Sequence, residues 1–313
     1  MKEFLISQEN AGRRLDKYIT SMVNAPVSFI YKMLRKKNII LNGHKASGNE
    51  ILNPGDTVRM YISDDTLESF MKIKKPARSC EGMMPPVVYE DENVLIVDKP
   101  AGMLSQKASG DDISLNEICL SYVEGCNDVK GDTAFTPSIC NRLDRNTSGL
   151  ITFAKTYRAA RILSEAFANR TVHKYYNAVA TGRIDADIDL EGSLVKDRKT
   201  NTVSVYEDRN EGAYINTKVH PVSSNGKLTL VEILLVTGKT HQIRAHLASA
   251  GHPLLGDNKY GNRELNRIYA KKFGIKGQML VCSKMIFPDD LPLDGLAGRT
   301  VTIKLPEEFN KVF

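Results

Sequence analysis

Apolar residues recur at helical spacing near the start of the chain. In "RRLDKYITSMV", Leu15, Ile19 and Met22 fall on one face of a helix. A second apolar face, in "SFIYKMLRKKN", predicts another helix with Ser28 as its N-cap. The pattern then shortens: "IILNG" is typical of a strand entering an Asn-Gly turn, and "GDTVRMYI" of a second strand. We therefore expect residues 1–62 to form two helices and a small sheet.

Strands dominate the pattern after residue 86. "VVYEDENVLIVDKPAGM" predicts two strands around an acidic turn, followed by a tight turn. Helices are predicted in "SLNEICLSYV", "RAARILSEAFANR" and "HQIRAHLASAG". Further strands are predicted in "LITFA", "KYYNAVATG", "GAYINTKVHPV", "LTLVEILLVTG", "QMLVCSKMIF" and "TVTIKL". Because several strands follow one another without a helix between them, we expect an α+β fold with a mixed, largely antiparallel sheet.

The distribution of charge supports a division of the chain into three parts. Residues 63–86 have mixed charge, no sustained period and a Pro-Pro end, which is typical of a linker between residues 1–62 and residues 87–313. Residues 1–80 hold 14 Lys or Arg and 8 Asp or Glu, a net charge of +6, whereas the remainder holds 29 of each. A small basic part beside a larger neutral part indicates an appendage that binds a polyanion.

Composition narrows the class of protein. The chain has 313 residues, of which 42% are hydrophobic, and this suits a globular protein with a substantial core. Its five cysteines include no C-x-x-C pair, so the sequence indicates neither a disulfide framework nor a zinc site. The first residues lack the apolar stretch of a signal peptide, and no apolar run reaches membrane length. We expect a soluble cytoplasmic protein.

Three familiar kinds of site are not supported by the motifs. "TGKTHQ" resembles part of a phosphate-binding loop, but Ile233 stands where that loop requires glycine. The spacing of His241, His246 and His252 does not match H-E-x-x-H, and hydrogen-bonding roles are expected for them rather than metal ligation. The nucleophile-elbow pattern G-x-S-x-G does not occur in the sequence. We expect no cofactor and no metal.

An acidic residue in "CNRLDRNTSGLITFAKT" is the strongest candidate for chemistry. Asp144 lies between Arg142 and Arg145, immediately before an apolar strand. Nearby positive charge favours the ionised carboxylate, which could act as a nucleophile or as a base. The same pattern also occurs in ordinary surface ion pairs, so these residues alone leave both interpretations open.

Four motifs resemble those of RluA-type pseudouridine synthases. "NRLDRNTSGL" is similar to their H-R-L-D-R-D-T-S-G-L motif, and "VYEDENVLIVDKPAGML" to their first motif. "HKYYNAV" resembles the K-x-Y-x-A segment, and "LLVTGKTHQIRAHLASAGHPLLGDNKYG" resembles the motif T-G-R-T-H-Q-I-R-x-H-L. The four occur in the expected order over residues 88–261. Residues 12–62 resemble an alpha-L RNA-binding domain through "GRRLDKYI", "LRKKNIILNGHKA" and "NPGDTVRM".

The resemblance implies an enzyme that isomerises uridine in RNA to pseudouridine, without a cofactor. It implies that Asp144 is the catalytic aspartate, that Tyr176 stacks on the target base, and that Arg244 pairs with Asp144. The residues expected to bind the substrate are Arg142, Arg145, His241 and Gln242. Those expected to bind RNA in the N-terminal domain are Arg13, Arg14, Arg35, Lys36 and Lys37. The expected partner is ribosomal RNA of the large subunit, and the protein is expected to be a monomer.

Three positions depart from the family motifs. Asn141 replaces the usual His, Asn146 the usual Asp, and Lys239 the common Arg. None is a member of the trio that the resemblance places at the reaction centre, although the structure of the loop and the choice of RNA sites are open to change. Transfer RNA is an alternative substrate. A non-catalytic RNA-binding or ribosome-assembly factor is an alternative function.

Overall fold

The fold is built from seven helices and fifteen strands in the residues that the structure describes. A computed structural model describes residues 1–8, 10–23, 25–63, 70, 80, 82–110, 112–125, 135–197, 199–200, 202–206, 208 and 212–313. Most of the predicted linker, residues 63–86, lies outside these ranges. The helices are α1 (Leu15–Met22), α2 (Val27–Arg35), α3 (Leu115–Gly125), α4 (Tyr157–Ala168), α5 (Gln242–Ser249), α6 (Arg263–Phe273) and α7 (Glu307–Lys311).

The strands fall into two separate sheets. The first contains β1 (Lys2–Leu5), β2 (Ile39–Leu41), β3 (His44–Lys45) and β4 (Thr57–Met60). The second contains β5 (Val87–Glu90), β6 (Val94–Lys99), β7 (Ser138–Ile139), β8 (Ser148–Ala154), β9 (His173–Thr181), β10 (Ile188–Asp197), β11 (Thr202–Tyr206), β12 (Ala213–Ser224), β13 (Leu228–Leu235), β14 (Leu280–Ile286) and β15 (Thr300–Thr302).

The small N-terminal sheet packs against α1 and α2. Its strand order is β1-β4-β2-β3, and every pair is antiparallel. The core includes Ile19, Leu34 and Val58, each at most 1% exposed. The predicted Asn-Gly turn is present, with positive φ at Asn42 and Gly43, which suits a tight hairpin. The apolar spacing thus predicted the two helices and the strands β2 and β4, but neither β1 nor β3 at the two edges of the sheet.

The start of α2 differs from the prediction. The helix begins at Val27, its N-cap is Pro26, and the cap makes no side-chain hydrogen bond. Ser28 is therefore the second residue of the helix rather than its N-cap. Proline fixes the extended backbone just before the helix, and this local constraint sets the start two residues earlier than the serine suggested.

The large sheet is mixed and mostly antiparallel, as the run of strands predicted. Its order is β11-β10-β12-β13-β9-β14-β8-β6-β5, with β15 beside β14 and β7 beside β8. The pair β8–β14 is parallel, whereas the other described pairs of this sheet are antiparallel. All four residues from Val94 to Val97 are fully buried, which shows that β6 is covered on both of its faces.

The contact between β8 and β14 fixes where the loop before β8 ends. Gly149 has a φ of +113°, and a Cβ added there would overlap the backbone of Cys282 on β14. Only glycine allows both this conformation and this approach. The "TSG" segment is thus the point where the sheet receives the loop that carries Asp144. In the part of the chain that the structure describes, no helix is long and apolar enough to span a bilayer.

We predict that Gly149→Ala destabilises the fold more than Gly226→Ala. Gly226 also has a positive φ, but an added Cβ meets nothing within 4 Å there. Its replacement should cost about 1–2 kcal/mol of unfolding free energy, from backbone strain alone. Gly149→Ala should cost about 1–3 kcal/mol more, because β14 must move. Urea unfolding of both variants measures the difference, and equal costs would contradict the close approach.

Candidate active site

A cleft opens at one end of the central strands β9, β13 and β14 of the large sheet. Its volume is about 1010 Å³. Its walls are the loop of residues 140–147, the start of β9, the end of β13, the start of α5 and parts of residues 258–280. The "NRLDRN", "KYY" and "TGKTHQIR" motifs, which are far apart in sequence, therefore meet at one site.

Asp144 lies in this cleft, with its side chain 26% exposed. Its carboxylate accepts a hydrogen bond of 2.9 Å from Nη1 of Arg244, on α5. The flanking arginines point elsewhere: Arg142 is exposed on the cleft wall, and Arg145 donates from Nε to the carbonyl of Gly102. The described partner of Asp144 thus comes from 100 residues further along the chain, as the family resemblance implied.

Arg244 is held from behind by a second carboxylate. Its Nε and Nη2 donate to the two oxygens of Asp257 at 2.7 and 2.9 Å. Asp257 is fully buried, and the Arg244 side chain is only 6% exposed. A paired geometry of this kind fixes the plane of the guanidinium. Nη1 is consequently aimed at Asp144, and the three side chains form a continuous line, Asp144–Arg244–Asp257.

Backbone groups complete the surroundings of Asp257. The amides of Lys259 and Tyr260 donate to its Oδ1 at 2.8 and 3.1 Å. Burial raises the pKa of Asp257, but the bonds from Arg244 and from these amides outweigh burial, so that the pKa lies below its ordinary value. Burial likewise lowers the pKa of Arg244, whereas Asp257 and Asp144 raise it, and the result is a raised value. Both groups are therefore charged at neutral pH.

Lys99 holds the main chain of the Asp144 loop. It is fully buried, and its Nζ donates to the carbonyls of Pro100, Met103 and Arg145 at 3.0, 2.9 and 3.1 Å. Burial lowers the pKa of Lys99 to about 8, against opposing effects of Asp144 and of its sequence neighbour Asp98. The group remains an ammonium ion at neutral pH, and its three protons match the three carbonyls.

Two further buried side chains shape the loop. Ser105 donates from its hydroxyl to the carbonyl of Leu143 and accepts from the amide of the same residue. Asn141 donates to the carbonyl of Leu150 and accepts from the amide of Thr152. Asn141, like the histidine usual in the family motif, can both donate and accept a hydrogen bond. It uses both to bind the loop to β8.

His241 faces the carboxylate from the other side. Its Nε2 lies 3.8 Å from Oδ2 of Asp144, and its Nδ1 is 3.0 Å from the hydroxyl of Tyr260. Burial, together with Arg244 and Lys259 nearby, lowers the pKa of His241, although Asp144 opposes the shift. The ring is thus neutral at neutral pH. The ring of Tyr260 also lies 5.3 Å from the Arg244 guanidinium, so it packs against both groups.

Tyr176 lines the cleft from β9. It is 5% exposed and lies between Ile233 on β13 and Cys282 on β14 in the sheet register. Burial, with Cys282 and Asp144 nearby, raises the pKa of Tyr176 well above its ordinary value. It is a neutral phenol that presents an aromatic ring beside the carboxylate, a placement consistent with stacking on a base.

Two of the predicted site residues, one for the substrate and one for RNA, are bonded within the protein. The Gln242 side chain bonds to Thr237, to the amide of Lys239 and to both the carbonyl of Asn216 and the hydroxyl of Thr217. All its hydrogen-bonding positions are thus occupied within the protein, and it holds the turn before α5.

The second of these residues is Arg13. It is 6% exposed, donates to Asn10 and Ser21, and lies over the rings of Tyr18 and Tyr157. It is a packing residue rather than a surface cation.

The other basic residues of the N-terminal unit are accessible. Arg35, Lys36 and Lys37 are exposed at the C-terminal end of α2. The Arg14 side chain is 45% exposed and is paired with Asp16 at 2.9 Å. The group of three at the helix end is therefore the better candidate for contact with phosphates.

Residue-level reasoning did not identify Asp257, Lys99 or Tyr260. Both Asp257 and Tyr260 lie in the quoted segment "LLGDNKYG", and Lys99 lies in "DKPAGM", but neither segment has a spacing that specifies a partner. The available signal for Asp257 and Lys99 is a charged residue at the end of an apolar segment, as in "LLGD" and "LIVDK". It indicates a buried charge without showing what the charge bonds to.

The three candidate histidines have separate hydrogen-bond partners. His246 is 3.0 Å from the hydroxyl of Thr217, and His252 is 3.0 Å from the carbonyl of Thr181. His241 bonds to Tyr260, as described above. Their side chains are therefore divided among three environments, as expected for hydrogen-bonding roles.

Comparison with known proteins identifies the family. Residues 93–249 match the family described as RNA pseudouridylate synthase. The chain is 30% identical over 289 residues to the ribosomal large subunit pseudouridine synthase C of Vibrio cholerae, covering 90% of this chain and 87% of the relative. It is 33% identical over 264 residues to the uncharacterized RNA pseudouridine synthase YlyB of Bacillus subtilis, covering 82% of each.

A solved structure shows the same fold. The human RNA pseudouridylate synthase domain containing 4 matches with a TM-score of 0.56 and 23% identity, over 72% of this chain and 90% of that one. The family match spans half of the chain and includes Asp144, Tyr176 and Arg244. The chain belongs to the RNA pseudouridylate synthase family.

Proposed function

We propose that this enzyme converts uridines of large-subunit ribosomal RNA to pseudouridine, with Asp144 as the catalytic residue. The observation that carries the proposal is the line Asp144–Arg244–Asp257, which presents one oriented carboxylate to a cleft of about 1010 Å³. The reaction breaks the bond between N1 of the base and C1′ of the ribose, and forms a bond between C5 and C1′. The proton on C5 is lost to solvent, and N1 gains one.

The cleft suits a nucleotide that has left the RNA helix. A stacked uridine cannot reach Asp144, so the base must flip out, and unstacking costs a few kcal/mol. Stacking on Tyr176 would return about 1–3 kcal/mol. Arg142, exposed on the cleft wall, can meet the phosphate of the flipped nucleotide. The base must rotate without escaping, and the enclosed walls around Tyr176 favour its retention.

Asp144 can start the reaction by attacking the sugar carbon or by removing a proton from the ribose. Both routes require a carboxylate. Arg244 is its positive partner at 2.9 Å, and the neutral His241 lies 3.8 Å away. Asp257 accepts from Nε and Nη2 of Arg244, so the guanidinium donates to Asp144 through Nη1 alone, and the Asp144 side chain stays 26% exposed. The carboxylate therefore keeps a part of its surface available to the substrate.

The substrate class follows from the relatives and from the N-terminal unit. Relatives in five bacterial genera bear the name ribosomal large subunit pseudouridine synthase C. We propose an RNA-binding domain over residues 1–62, a linker over residues 63–86 and a catalytic domain over residues 87–313, acting as a monomer in the cytoplasm. Pseudouridine mapping of ribosomal and transfer RNA, from cells with and without the gene, tests the choice of substrate.

Asp144→Asn should abolish turnover while leaving RNA affinity nearly unchanged. The amide keeps the shape of the side chain but can act neither as nucleophile nor as base. Tritium release from RNA labelled at C5 of uridine measures turnover. Asp187→Asn is the matched control, because Asp187 is exposed and its described partner is the equally exposed His220. Turnover of the Asp144→Asn variant within tenfold of wild type, about 1.4 kcal/mol of barrier, would contradict the assignment.

Asp257→Asn should slow the chemical step by about 10- to 100-fold, or about 1.4–2.8 kcal/mol. The amide cannot accept two charge-assisted bonds from Arg244, so the guanidinium loses its orientation towards Asp144. RNA affinity should stay within twofold, since Asp257 is fully buried. Replacing Arg244 instead would leave Asp257 charged and unpaired, at a cost of about 3–5 kcal/mol of stability. Unchanged single-turnover rates in Asp257→Asn would show that Arg244 needs no support.

Neutralising Arg35, Lys36 and Lys37 with glutamine should weaken RNA capture but not turnover at saturating RNA. Each lost phosphate contact lowers the slope of log affinity against log salt by about 0.7–0.9. Affinity for transcribed ribosomal RNA at two salt concentrations measures the slope. An unchanged slope would mean that this helix end does not contact phosphates.

The matched control for that experiment removes three exposed cations elsewhere. Arg183, Lys227 and Lys311 are exposed, and the first two lie at the ends of β9 and β13 opposite the cleft. Replacing these three with glutamine changes the net charge by the same amount. Affinity and slope should then stay close to those of the wild type.

A further inference from the structure

The neutral charge of the catalytic part conceals a strongly basic segment. Residues 259–276 contain six Lys or Arg and one Glu, a net charge of +5. Residues 81–313 as a whole are neutral, so the rest of that part carries −5. Positive charge is therefore concentrated in one short stretch, which forms α6 and the turns at its two ends.

Helix α6 presents its basic residues on a single exposed face. Leu265, Tyr269 and Phe273 recur every four residues and pack against the protein. Arg263, Arg267 and Lys271 have the same spacing on the opposite face and are exposed; Lys272 and Lys276 extend the charge. At a rise of 1.5 Å per residue, the cations of this row are about 6 Å apart along the helix.

Both ends of α6 connect directly to the walls of the cleft. Lys259, four residues before the helix, lines the cleft, and so does Gln278, five residues after it. Gln278 also donates to Thr147, at the end of the Asp144 loop. The basic helix is thus joined at both of its ends, over four or five residues, to the wall of the cleft.

The side chains of this row contribute little to the stability of α6. Among the described residues, no carboxylate lies within 4 Å of the charged groups of Arg263, Arg267 or Lys271. The helix is already ended by other means, since Asn262 caps its start and Gly274, with a positive φ, ends it. A row of like charges at this spacing repels itself and disfavours the helix. A polyanion along the row would remove that repulsion.

We propose that the face formed by Arg263, Arg267 and Lys271 binds the phosphate backbone of the RNA strand next to the target uridine. The proposal rests on the proposed function, because it needs RNA in the cleft. It adds a second phosphate-binding surface, on the catalytic part, to the one at the end of α2. The contact is to phosphates and not to bases, so it sets the position of the strand without reading its sequence.

The experiment replaces Arg263, Arg267 and Lys271 together with glutamine and uses transcribed large-subunit ribosomal RNA as the probe. Affinity at physiological salt should fall about 10- to 100-fold, and the salt slope should fall by about 2. The single-turnover rate at saturating RNA should stay within about threefold, because none of the three residues reaches Asp144. Replacement of Arg183, Lys227 and Lys311 is the control, and it should change neither affinity nor slope.

Two outcomes would overturn the proposal while the wild type remains active. One is a salt slope equal to that of the control variant, which would make the face a solvated surface only. The other is an unchanged affinity with a collapsed single-turnover rate, which would assign the face to the reaction instead of to binding. Absence of tritium release from the wild-type protein, by contrast, would refute the proposed function itself and not the basic face.

Discussion

The pairing of one arginine with two carboxylates is the constraint around which the site is organised. Arg244 is only 6% exposed, and a charge so deeply placed must be compensated. Asp257, fully buried, provides the compensation through two bonds, and Asp144 takes the remaining direction of the guanidinium. Removing Arg244 leaves the buried Asp257 without its cation, whereas removing either aspartate leaves the arginine with one carboxylate partner. The requirement for catalysis and the requirement for a stable fold thus meet in the same side chains.

This constraint explains why the large sheet brings distant segments together. The three charges come from the loop before β8, from α5 and from the segment after α5, and each is near the cleft wall. The parallel contact between β8 and β14 sets the end of the first segment, with Gly149 against the backbone of Cys282. The central strands β9, β13 and β14 each have one end at the cleft that holds these residues.

The hydrophobic pattern predicted most of this architecture, because apolar spacing is a local property. It missed β10, in which Gly192 and several charged residues interrupt the alternation, and the short strand β11. It also missed α6, in which no residue is fully buried. Averaging the charge over a whole domain concealed the basic segment at residues 259–276. Asp144 could be selected from its flanking residues, but its partner Arg244 followed only from the family resemblance, since pairing across 100 residues leaves no local signal.

The hydrogen bonds that hold the Asp144 loop make the position of its carboxylate independent of some of the loop's exposed side chains. Lys99 and Ser105 hold the loop through the carbonyls of Arg145 and Leu143, which every amino acid at those positions would provide. The exposed side chain of Asn146 takes no part in these bonds and can therefore be exchanged without moving the carboxylate. The loop can thus vary at its surface while the position of Asp144 is preserved.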